Sequence, residues 1–138
     1  DVLEDTMQGV GLSERVEVLR AVNLPPLVIS LVIDVTNRPE GGRSYMDKIR
    51  EITYSVTTLG DLGYQDSGST AAAVLKLADN MDNSRLDRLS VLSDSERERL
   101  GSKYSKARLT LAEWIEPKDF QTVARYFSDR GLDLAHGE

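Results

Sequence analysis

Leu27-Val28-Ile29-Ser30-Leu31-Val32-Ile33-Asp34-Val35-Thr36 decides how the rest of the chain is read. It is the longest apolar run in the sequence and is rich in β-branched residues. Asn23-Leu24-Pro25-Pro26 precedes it and Asn37-Arg38-Pro39-Glu40-Gly41-Gly42 follows it, so turn chemistry bounds it on both sides. Read as a strand, it is buried and needs a partner for its backbone groups. The stretch 15–22, where Val16 and Val18 alternate with Arg15, Glu17 and Arg20, supplies one through a hairpin. The same strand of a second copy supplies another, across a two-fold axis. Read as a helix, the run is apolar all round and belongs in a core, with the prolines in its first turn. Periodicity cannot separate the two over so short a run.

The remainder reads as helices. Leu3, Met7 and Val10 suit a short first helix. Tyr45, Ile49, Ile52, Val56 and Leu59 repeat at helical spacing behind a capping-box pair, Ser44 and Asp47, and Gly60 supplies a stop. A helix capped by Ser69 or Thr70 runs to about Met81, with Ala71, Val74, Leu75 and Ala78 inward. Leu86, Leu89 and Leu92 align on a shorter one. Ser93 and Glu96 open the longest helix, 94–115, where Leu100, Tyr104, Ala107, Leu111 and Trp114 form one face before Pro117 ends it. The last helix spans about 118–130, with Phe120, Val123, Ala124 and Phe127 on one side and Gly131 at its end.

The fold class expected is therefore α+β and helix-rich. A small two- to three-stranded sheet, about 15–22 and 27–36, is covered by four to five helices. The alternative is an all-α domain with 27–36 as a buried core helix. Residues 1–131 are expected to form a single globular domain, and 132–138 a mobile C-terminal tail.

The 138 residues include 23 acidic and 17 basic side chains, for a formal charge of −6. Residues 1–70 hold eleven acidic groups and six basic, so the acidity lies in the first half. Such a balance weighs against a chain whose whole surface binds nucleic acid. The absence of cysteine removes disulfides, thiolate metal sites and cysteine nucleophiles. The one histidine, His136, cannot build a multi-histidine metal site, and a serine–histidine triad would have to recruit it from the tail. No basic leader opens the sequence and no run spans a bilayer, so no membrane association is expected. The location expected is cytoplasmic, or inside a virus particle assembled there.

Five constellations merit weighing. In the first, Arg38, Gly41, Gly42, Arg43 and Ser44 precede a helix N-terminus, whose free amides and two arginines suit an anion. The spaced glycines and lysine of nucleotide-binding loops are missing, and an ordinary capped loop explains the same residues. Asp66-Ser67-Gly68-Ser69-Thr70 reads as capping. Asp79-Asn80-Met81-Asp82-Asn83 fails as a calcium loop, because Ser84 and Ser90 stand where a glycine and a glutamate are required.

Arg97, Arg99, Lys103, Lys106 and Arg108 flank the apolar seam of the longest helix. They offer a docking face for an acidic partner, nucleic acid included, or a solvated flank of the helix. Trp114, Phe120, Tyr126 and Phe127 cluster at the junction of the last two helices, as core filling or as an interface. Together with Leu31 and Ile33 of the apolar run they are the interface candidates.

No catalytic set, cofactor motif or metal motif emerges. The expected function is a non-enzymatic interaction or assembly module, homo-oligomeric, such as a viral or phage assembly component or a regulatory adaptor. A nucleic-acid-binding accessory protein using the 94–115 face is the second reading. An anion- or nucleotide-binding enzyme at loop 38–44 is the third.

Overall fold

The computed structural model describes residues 17, 18, 20–35, 44–61 and 67–135. The apolar run forms helix α1, Pro26–Val35. The small sheet is absent among the described residues, and the all-α alternative fits: Glu17, Val18, Arg20 and Ala21 are helical too. The prolines account for the outcome. Both stand at the start of the first turn, where a fixed φ suits a helix and a missing N–H costs nothing. Pro25 instead gives its carbonyl to the Ile29 amide (3.1 Å). As a helix the segment satisfies its backbone internally, with no second strand required. Asn23, at φ 60°, reverses the chain between the two helical pieces, a conformation Asn tolerates better than most side chains.

Among the described residues five further helices follow: α2 (Tyr45–Asp61), α3 (Ser67–Asn83), α4 (Leu86–Leu89), α5 (Asp94–Ala112) and α6 (Pro117–Ser128). The capping box ahead of α2 is complete. The Ser44 amide and hydroxyl donate to Asp47 (2.9 and 2.8 Å), and the Asp47 amide donates back to Ser44 Oγ (3.1 Å). Ahead of α5, the Ser93 hydroxyl donates to Glu96 (2.6 Å).

α3 is the axis of the molecule, touching α1, α2, α5 and α6. Its alanines allow those neighbours to approach: Ala72, Ala73, Leu77 and Met81 are buried with Ile49 and Ile52 of α2, Ala107 and Leu111 of α5, and Phe127 of α6. This face is rotated from the expected one, for Leu75 is exposed and Lys76 and Asn80 are buried. The Asp79–Asn83 stretch, weighed above as a calcium loop, is the last turn of α3. There Asp79 accepts from Lys76 (2.8 Å) and from Asn83 (3.0 Å).

Past α6 the chain turns at Gly131 and runs back over α5. Leu132 and Leu134 pack on the core and Ala135 is buried. The Leu86 amide donates to Asp133 O (2.9 Å) and the Ala135 amide to Ser84 O (2.8 Å). Residues 132–135, at the start of the stretch expected as a tail, thus lie as a strap against the 84–86 turn and the core. Residues 136–138, His136 among them, lie outside the described residues. The turn that receives the strap is itself braced. Arg85 makes a forked contact to Asp87 (3.0 and 2.6 Å) and a third bond to Asp82 (3.0 Å), and Arg88 pairs with Asp82 as well.

Candidate functional site

The most developed polar site lies between α2, α3 and α5. Polar residues on the buried face of α3 create it, because each must find a partner once water is gone. Asn80 is fully buried. Its amide Nδ2 donates to Tyr45 Oη of α2 (3.1 Å) and to the Tyr104 carbonyl of α5 (3.0 Å). Its Oδ1 has no hydrogen-bond partner among the described residues. The Tyr45 and Tyr104 rings meet edge to face at 5.7 Å, a favourable aromatic arrangement. Lys76 Nζ lies 5.2 Å from the centre of the Tyr45 ring and Lys103 Nζ lies 4.5 Å from it. Both distances are within cation–π range.

One turn further on, just past the end of α3, Ser84 is fully buried. It donates to Met81 O (3.0 Å) and accepts from Arg108 Nη1 (2.9 Å). Arg108 Nη2 donates to the Ala135 carbonyl (2.9 Å). Arg108 is 8% exposed and forms no ion pair among the described residues. Burial pushes its pKa below the ordinary arginine value, with the nearby Tyr45 opposing that shift.

Arg38, Gly41, Gly42 and Arg43 lie outside the described residues, and Ser44 is the cap of α2. Of the basic face, Arg99 and Lys106 are exposed and Arg97 pairs with Asp94. Lys103 sits over two tyrosine rings. Arg108 does not belong to that face: it points inward to bind Ser84 and the strap. Leu31 packs on the core, and Ile33 lies in α1 with its side chain outside the description. At the α5–α6 junction Trp114 is exposed, and Phe120 in the first turn of α6 is half-buried. At the far end of α6 Phe127 is buried and Tyr126 exposed, with Arg130 stacked on the Tyr126 ring at 3.7 Å.

The Tyr45–Lys76–Asn80–Tyr104 cluster escaped the sequence reading. A signal was present: Lys76 and Asn80 stand four residues apart inside the alanine-rich helix, on one face. Among the described residues no three acidic or histidine side chains converge as a metal site. No described helix is long and apolar enough to cross a membrane. Comparison with protein-family models, curated proteins and solved structures finds no match for this chain.

Proposed function

We propose that this chain is a non-enzymatic interaction module that assembles with copies of itself through its N-terminal helical arm and α1. One observation carries the reading. Described residues 17, 18 and 20–23 are exposed, the apolar Val18, Ala21 and Val22 among them. Val18 is 46% and Val22 63% exposed, four residues apart on one helical face, and Val28 at the start of α1 is 37% exposed. Apolar side chains grouped this way mark contact surfaces more often than singly scattered ones do. α1 itself is predominantly apolar in sequence, with Ser30 and Asp34 its polar residues, and rests on α3 and, more lightly, on α2.

The test is molar mass by size-exclusion chromatography with light scattering over a tenfold concentration range. A dimer or larger species is expected for the unchanged chain. Val18→Asp combined with Val22→Asp should yield monomer with an unaltered circular dichroism spectrum. A monomer throughout the range for the unchanged chain would overturn the reading.

A further inference from the structure

We infer that Leu132–Ala135 is a displaceable strap: it opens from α5 and the 84–86 turn as one unit, with the helical body still folded, and opening hands Arg108 to solvent. The strap has no ladder of its own. At its base the Leu132 amide is tied to Phe127 O (3.0 Å); beyond that, two backbone hydrogen bonds to the turn and one from Arg108 hold it, together with the packing of Leu132, Leu134 and Ala135. Its hinge is in place, since Gly131 takes φ +64° with open space about its Cβ position, a conformation glycine enters freely. Ala135 lies over Gly101 of α5, where an added Cβ would stand at ordinary contact distance, 3.5 Å, from the Ala135 methyl.

The energetic terms oppose one another. Burying the three apolar side chains favours closure. Closure also buries a guanidinium whose hydrogen-bond acceptors are neutral, Ser84 Oγ and Ala135 O. A buried cation without a carboxylate keeps much of its desolvation penalty, and opening returns that penalty to water. Segments closed by a small difference of opposing terms open below the threshold of global unfolding.

Native-state hydrogen exchange on the whole chain tests this. The Leu86 and Ala135 amides, bonded to Asp133 O and Ser84 O, report the strap. The Leu77 and Ala107 amides report the body. The strap amides should exchange at least about tenfold faster than the body amides. Leu134→Ala should accelerate Leu86 and Ala135 together, by about tenfold, and leave Leu77 and Ala107 unchanged. Arg108→Lys, which keeps the charge and loses the fork, should shift the same two amides in the same direction. Equal rates for strap and body in the unchanged chain would overturn the inference. So would independent responses of Leu86 and Ala135 to either substitution.

Discussion

At the scale of single residues, the two capping carboxylates give the chain a pH signature. Hydrogen bonds from the Ser44 amide and hydroxyl, aided by Arg50, hold the Asp47 carboxyl below its ordinary value of 3.8. Glu96 is lowered likewise from 4.5 by the Ser93 hydroxyl and amide, with help from Arg99. A depressed folded-state pKa stabilises the fold above the unfolded-state value, and that contribution fades as pH falls through the folded-state value. Chemical denaturation of Asp47→Asn should therefore lose stability at neutral pH and show a flatter acid limb below about pH 4. Both groups are exposed, so added salt should shrink the difference. The two described glycines outside α2 and α3 behave oppositely. Gly101 is mid-helix with ordinary contact distance to Ala135, so Gly101→Ala should stabilise by up to about 1 kcal/mol. Gly131 has positive φ, so Gly131→Ala should destabilise by about 1 kcal/mol. Thermal denaturation of the pair reads both signs.

At the scale of elements, the decisive test is the rotation of α3. Leu77 is fully buried and Leu75 faces outward. Leu77→Ala should cost about 2–5 kcal/mol, by removing a core side chain that its neighbours cannot replace. Leu75→Ala should stay within about 0.5 kcal/mol, as surface changes do. Urea denaturation that reversed this order would refute the packing. The same element shows what the sequence could disclose. Local chemistry revealed the helix starts at Ser44 and Ser93 and the stop before Pro117, because caps and prolines act on their own turn. The buried face of α3 was not legible, because its polar members are satisfied from afar. Asn80 bonds to Tyr45 and Tyr104, distant in sequence and on different helices. Arg108 read as a surface cation for the same reason: its acceptors, Ser84 and Ala135, lie beyond any local window. α1 was ambiguous in pattern, and the proline geometry of its first turn resolves it.

At the scale of the whole molecule, one helix organises the others. α3 carries the core and, along the same buried length, the polar Lys76 and Asn80, with Ser84 just past its end, so damage to it is felt in every layer. Self-association through Val18, Val22 and Val28 would rest on apolar burial. The apparent molar mass should therefore hold or rise between low and high salt. Dissociation by salt would instead point to charge pairing. Trp114 adds a practical consequence. It is the only tryptophan in the chain, and it stands 41% exposed where α5 gives way to α6. Its fluorescence is therefore a report from one corner, not from the core. Emission should begin partly red-shifted and be open to acrylamide quenching in the native protein. An optical unfolding curve followed at that wavelength records the parting of the last two helices, while the axis around α3 stays spectroscopically silent.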